Sequence, residues 1–354
     1  YFNRYKNTTA KCKRGFKRIM RLKSALFFIF VVFFISGCSQ KVLINSTKPA
    51  IIDRASNTKK IAVLKFENDN VGLSTKIESA IYSVKVDDKS YFTVISKNNR
   101  ENILNEQKFQ YSGLANKTNS VEIGELLGAQ ALISGKIDSA NVQRDNYYET
   151  RYRCVDRKCQ YTQEYRVACT NAKYSLIANI SMIDVQKGDV IYTNNYTRNR
   201  SYKKCSDESG GLPQANVVYD LFANSIVDEF LPYIAPTKQS YYLELFDEPD
   251  ISYTKEQDLL LENGLEYLKL GELDRSMEIF SKLLDSTNDK CYVASYNLGV
   301  IKESLGEYEN AKELYNLSDK LTLKPNKTVI EAITRIKQRI EERNRLNNQI
   351  EAEK

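Results

Sequence analysis

The sequence predicts a mixed-sheet α/β domain followed by an all-α helical repeat domain. Two patterns carry that prediction. Between residues 60 and 232, short apolar runs of strand length alternate with segments of helical period in the order βαβα(α)βββα, the order of a mixed α/β layer structure. From about residue 257 the strand patterns end and a helical motif recurs with a period of 35: Gly264, Gly271, Ser276 and Phe280 return as Gly299, Gly306, Ala311 and Tyr315.

The N-terminal elements come first. Met20–Cys38 opens on Arg21 and Lys23, runs through 11 apolar residues from Ala25 to Ile35, and closes on Ser36-Gly37-Cys38. A spanning helix needs about 20 apolar residues, whereas about 10–14 suits the apolar part of a secretory signal. Residues 20–37 are therefore expected to be a signal peptide, with a short uncleaved anchor as the alternative. Residues 1–19 hold seven basic and no acidic residues and precede Met20; they are expected to be upstream sequence outside the natural protein. Residues 38–59 are polar and poorly patterned, as a tether would be.

Lys60–Phe66 (KIAVLKF) has the near-continuous apolar run of a strand buried on both faces. Leu73, Ile77, Ile81 and Val84 recur at helical spacing, Tyr91–Lys97 reads as a strand, and Asn99–Gln110 as a helix. Ser120 can cap a further helix that Gly128 terminates. Ala131–Ser139 is a strand, and Lys173–Val185 and Asp189–Thr197 are strands joined by the hairpin signal Gln186-Lys187-Gly188. Leu212-Pro213 opens a long helix with Val217, Val218, Leu221, Phe222, Ile226 and Phe230 on one face. Pro232 is expected to stop that helix, and residues 233–253, with Pro236 and Pro249, read as a linker. The domain limits are thus 60–232 for the α/β part and 254–351 for the helical part, whose final stripe of Ile330, Ile333, Ile336 and Ile340 suits a capping helix.

Composition narrows the function. Nine of the 52 Lys and Arg lie in residues 1–37, which hold no acid, so 43 basic residues face 45 acidic ones in the remainder. That near-balance offers no basic footprint for nucleic acid. The chain has no His, which excludes Ser-His-Asp and Cys-His catalysis and His-ligated metals. Asp184, Asp189 and Glu106 show no spacing diagnostic of acid–base work. Gly124, Gly128 and Gly135 form no phosphate-cradling loop, because no Lys-Ser/Thr follows. No catalytic residue, metal site or cofactor is expected.

Four cysteines, Cys154, Cys159, Cys169 and Cys205, fall within about 50 residues in a chain expected to be exported, where disulfides persist. Cys154 and Cys159 could clasp a hairpin tip, with Cys169 and Cys205 tying its base to the next loop. Four cysteines allow three pairings, and a four-thiolate zinc site competes. Cys291 reads as a small buried apolar residue.

The close of the signal, Ile35-Ser36-Gly37-Cys38, resembles the bacterial lipobox, in which the cysteine is acylated and becomes the first mature residue. With Ser39 rather than Asp behind it, the resemblance implies an outer-membrane lipoprotein on the periplasmic side, held by acyl chains on Cys38. The α/β domain resembles the CsgG/HfaB family of curli-secretion lipoproteins. Ile61–Phe66 is similar to its opening strand, Glu101–Gln107 to its "ILxEQ" helix, and Ile123–Ala129 with Leu132–Gly135 to its "GA-x-x-x-x-G" junction. Met182–Val185 with Gly188–Ile191 is similar to its "lvDv-x-x-G-x-v" hairpin. The helical repeats resemble tetratricopeptide repeats (TPR), with Leu260 and Ser295 where the family has Trp.

These resemblances imply a non-catalytic scaffold for export or assembly of cell-surface structures. Its expected partners are the outer membrane through the lipid, protein segments through the TPR groove, and further copies of itself. Two alternatives follow from the same family: an oligomeric secretion channel, and a regulator of peptidoglycan synthesis like the related penicillin-binding-protein activators. A channel would need lipid-facing hairpins. The candidates at 147–169 and 194–212 lack an aliphatic stripe, although the first reads as Tyr-rich on one face.

Overall fold

Lys60–Val63 (β2) is apolar on both faces because both faces are covered. Ile61 and Val63 enter the main core, while Ala62 and the following Leu64 enter a smaller cluster on the other side. The structure, a computed structural model, describes residues 40–95 and 117–352, side chains at 117–120 excepted. Cys38, Glu106 and the helix expected over Asn99–Gln110 lie outside the described residues. Strand β2 pairs in parallel with Thr93–Val94 (β5) and with Ala131–Cys154 (β6). Strands β6, Thr162–Asp184 (β7) and Val190–Cys205 (β8) continue the sheet antiparallel, giving the order β5-β2-β6-β7-β8.

The mixed sheet is layered as the sequence predicts. Asp53–Asn57 (α1), Leu73–Ser83 (α2) and Ala215–Ile234 (α4) border the main core on one face, where Leu73, Ile77, Ile81, Val218, Phe222, Ile226 and Phe230 are buried. Strand β7 shows the two-residue period of that arrangement: Ala172, Tyr174, Leu176, Ala178, Ile180 and Met182 are buried, and Lys173, Ile177 and the residues between face outward. Helix α3 (Lys117–Leu127) covers part of the opposite face through Ile123 and Leu127. A tight two-strand turn, Lys85–Val86 (β3) to Lys89–Ser90 (β4), has Asp87 and Asp88 at positive φ, as a primed turn requires.

Several expectations change. The strand read at 131–139 and the hairpin read at 147–169 are one continuous ladder of 24 and 23 residues, interrupted only by a register shift at Ile137/Ser139. The polar stretch 140–146 is no break, because cross-strand backbone bonds hold it whatever its side chains. Helix α4 runs past Pro232 to Ile234: a proline in the last turn forfeits one bond without stopping the helix. Val217 and Leu221, expected on the same face as Val218 and Phe222, are exposed, since the buried stripe follows Val218 and Phe222.

The largest change concerns the stretches read as tether and linker. Lys41–Lys48 (β1) and Thr237–Glu244 (β9) form a two-stranded antiparallel ribbon, in register from Lys41↔Glu244 to Lys48↔Thr237. Val42, Ile44 and Leu243 alternate inward from this ribbon, with Leu245 just beyond it, and join the core of the helical part. Neither stretch has enough apolar residues to announce a strand alone; each becomes one because the other supplies its ladder.

The helical part consists of Lys255–Lys269 (α5), Leu273–Ser286 (α6), Tyr292–Ser304 (α7), Tyr308–Leu321 (α8) and Lys327–Glu351 (α9). Thr254 caps α5 with Gln257 in a reciprocal capping box. Helix α9 is longer than a cap needs. Val329, Ala332 and Ile336 pack on the repeats, Ile333 and Ile340 partly so, and Ile330 is exposed. Its far end reaches the α/β domain: Gln349 bonds both backbone groups of Ala50, and Lys59 Nζ donates to the Gln349 carbonyl at 2.8 Å. Among the described residues, the sheet domain and the helical repeats accordingly form one unit.

Candidate functional site

Two features stand out from the fold: a long sheet arm and a groove on the helical repeats. The arm is the outer half of the β6–β7 hairpin. At ~3.4 Å per residue, 24 residues of β6 span ~80 Å, far more than the sheet core needs. Strand β8 accompanies it as far as Cys205, opposite Cys169, which is itself opposite Tyr147. Two disulfides sit along it. Cys154–Cys159 closes the tip, and Cys169–Cys205 joins β7 to β8 where the third strand ends. Charges fasten the same region. Arg151 Nη1 donates to Asp207 at 2.7 Å and Nη2 to Glu208 at 3.0 Å, and Lys203 pairs with Glu149.

The register splits the tyrosines that the sequence groups on one face. Tyr148, Thr150, Tyr152 and Cys154 stand opposite Ala168, Arg166, Glu164 and Thr162; Tyr165 and Val167 lie on the other face with Arg151 and Glu149. Arg166 sits 5.3 Å from the Tyr148 ring centre and Arg153 5.7 Å from that of Tyr165. Each face of the arm therefore mixes aromatic and charged groups, and neither carries an aliphatic band.

The carboxylates considered for catalysis have structural partners. Asp184 and Asp189 flank the β7–β8 turn, and Arg54 of α1 reaches both, donating to Asp184 at 2.8 Å and to Asp189 at 2.7 Å. Burial alone would push the Asp184 carboxyl up. Hydrogen bonds from Arg54 and from the Lys187 backbone outweigh it and hold the group below the usual carboxylate range. This cluster pins α1 to the turn.

In the helical repeats the signature residues meet in pairs. A Cβ on Gly264 would lie 2.9 Å from Phe280 Cζ, and one on Gly299 2.6 Å from Tyr315 Cε1. Each glycine thus admits the aromatic of the next helix. Ser276 and Ala311 are fully buried, and Ser276 Oγ donates to the Gly264 carbonyl at 2.7 Å. Gly271 and Gly306 end their helices at φ +81° and +77°, the left-handed termination that favours glycine. Ser295, at the position of the usual Trp, donates to the Leu314 carbonyl at 2.7 Å.

Helix α7 is buried nearly all round. Gly299 and Ser295 face α8. Another face, bearing Tyr296, Asn297 and Glu303, holds residues 241–253 of the same chain. Asn297 Nδ2 donates to the Phe246 carbonyl at 2.8 Å and its Oδ1 accepts from the Phe246 N–H at 3.0 Å. The Phe246 ring lies 4.4 Å from Tyr296 and 5.5 Å, edge-on, from Tyr292. Tyr296 OH donates to the Glu244 carbonyl at 3.1 Å. Asp250 accepts from the Tyr292 N–H at 2.6 Å, and Tyr253 OH meets Cys291 Sγ at 2.7 Å. Burial pushes that buried Cys291 thiol up to about 12. Sequence reasoning missed this site, because its ligand lies in a stretch whose composition reads as linker.

The chain thus combines an α/β sheet that carries a disulfide-braced arm with a set of helical repeats. Residues 40–207 match the profile of the curli production assembly/transport component CsgG, and residues 292–324 match a tetratricopeptide repeat. The chain thus carries a CsgG-family domain over residues 40–207 and a tetratricopeptide repeat over residues 292–324. No curated protein sequence matches it. Among solved structures, lipoprotein GNA1162 from Neisseria meningitidis is 10% identical, covering 48% of this chain and 95% of its own, with a TM-score of 0.26. The LpoB C-terminal domain from Salmonella enterica is 12% identical over 42% of this chain and 95% of its own, TM-score 0.25. The PelC dodecamer from Paraburkholderia phytofirmans gives 13%, 55% and 99%, TM-score 0.24. Likenesses at these scores carry no argument about this chain.

Proposed function

We propose that the chain is a lipid-anchored, non-catalytic assembly component on the periplasmic face of the outer membrane, serving the export or assembly of cell-surface structures. The observation that carries this reading is the CsgG-family match over residues 40–207, immediately behind the lipobox-like Ile35-Ser36-Gly37-Cys38. The arm supports a scaffold over a channel. A lipid-facing hairpin needs an apolar outer band about 25 Å tall, and each face of residues 147–169 mixes Tyr with Arg or Glu. The disulfides on the arm fit an oxidising compartment.

Two experiments test the reading. Metabolic labelling with a fatty-acid probe should mark the wild-type protein and leave the Cys38→Ala variant unmarked; an unlabelled wild type in the cytosol sinks the anchor. Crosslinking in intact cells, followed by mass spectrometry, should return envelope-assembly proteins. Conductance in planar bilayers, or detergent-extracted rings, would instead establish the channel.

A further inference from the structure

The groove on α7 holds its occupant through both backbone and side chains. Asn297 holds both the N–H and the C=O of Phe246, a contact that any extended segment can make. Three side chains anchor it further: the Phe246 ring against Tyr292 and Tyr296, the Asp250 carboxylate accepting from the Tyr292 N–H, and the Tyr253 hydroxyl on Cys291 Sγ. Leu245 is still held by the ribbon, its N–H donating to the Gln40 carbonyl at 2.9 Å and its side chain buried in the core. Beyond it, from Phe246 onward, the chain has no regular structure until α5. Asp247, Glu248 and Pro249 are exposed. A segment with such ends can leave the groove while the ribbon stays paired.

We propose that residues 246–253 are an intramolecular ligand of the helical repeats. A partner gains the groove by displacing them with an extended segment of the same chemistry: an aromatic residue followed by a carboxylate that accepts from the Tyr292 N–H, here Phe246 and Asp250. The covalent connection gives the resident segment an effective concentration of order mM. A free peptide of ordinary affinity therefore registers weakly on the closed protein, in proportion to the small fraction of open groove. The repeats are thus gated by the chain's own stretch between its two halves. This rests on the repeats being a protein-binding module.

The test uses a fluorescein-labelled synthetic peptide of residues 243–253, titrated into the full chain and read by fluorescence anisotropy. Phe246→Ala, which removes the resident anchor, should bind the peptide at least tenfold more tightly than wild type. Adding Asn297→Ala should erase that gain, because it removes the receptor's backbone contact. A folded Phe246→Ala protein that binds no better than wild type, or a gain that survives Asn297→Ala, overturns the proposal. Should Phe246→Ala lose its helical circular-dichroism signal, Phe246→Leu keeps an apolar anchor without the ring stacking. It should bind at least threefold better than wild type, and equal binding overturns the proposal. Crosslinks formed in cells from the sheet arm report on envelope partners independently, so failure here leaves that outcome readable.

Discussion

Glu303 is the most constrained charge among the described residues. Its side chain is fully buried, and it accepts from Arg335 Nε at 2.9 Å and Nη2 at 3.0 Å, from Tyr241 at 2.8 Å and from Tyr315 at 2.7 Å. Three elements, α8, α9 and β9, thus converge on one carboxylate. Glu303→Ala leaves the Arg335 guanidinium with no counter-charge in a mostly buried site and should cost about 3 kcal/mol in urea unfolding. A second residue prediction concerns pH. Because the Asp184 carboxyl is held low in the folded state, its contribution is present above the unfolded value of about 4 and is lost as pH falls through the folded value. The difference in urea midpoint between pH 6 and about pH 3 should be smaller in Asp184→Asn than in wild type. An equal difference would show that Arg54 does not favour the ionised group.

At the scale of elements, the helical repeats depend on how closely α5 meets α6 and α7 meets α8. Gly299→Ala forces a methyl group against Tyr315, whose ring is buried and bonded to Glu303, whereas Gly264→Ala presses on the tip of Phe280. Both should destabilise, by about 1–3 kcal/mol, with Gly299→Ala the worse. The arm makes a matching comparison. Cys169–Cys205 closes a separation of 36 residues and Cys154–Cys159 one of 5. On chain-entropy grounds, replacing the first pair with alanine should cost about 3–4 kcal/mol and the second about 2. Equal losses would mean that strain or denatured-state structure dominates. The repeat was legible in the sequence because its spacing is local. The arm was legible only in pieces, because its strands are held by partners up to about 50 positions away.

At the scale of the molecule, helix α9 makes one body of two halves. Beyond its contacts with the repeats, Arg345 donates to Asp53 at 2.8 Å and to the Ala50 carbonyl, while Gln349 and Lys59 meet beneath Tyr91. Gln349→Ala removes the partner of the Ala50 N–H and loosens that junction. Calorimetry should show one unfolding transition for wild type and two for the variant. A single transition in both would place the coupling in the β1–β9 ribbon instead.

Some of this protein was determined by sequence alone. The apolar double-faced strand β2 and the helical motif that returns after 35 residues both rest on local spacing, which neighbouring residues dictate. Tertiary structure alone decided the rest. The ribbon of Lys41–Lys48 with Thr237–Glu244 joins segments nearly 200 positions apart, and neither is a strand without the other's hydrogen bonds. The same holds for Phe246 on Asn297 and for Gln349 on Ala50. A backbone donor finds its acceptor through space, and the side chains beside it along the chain carry no record of which acceptor that will be.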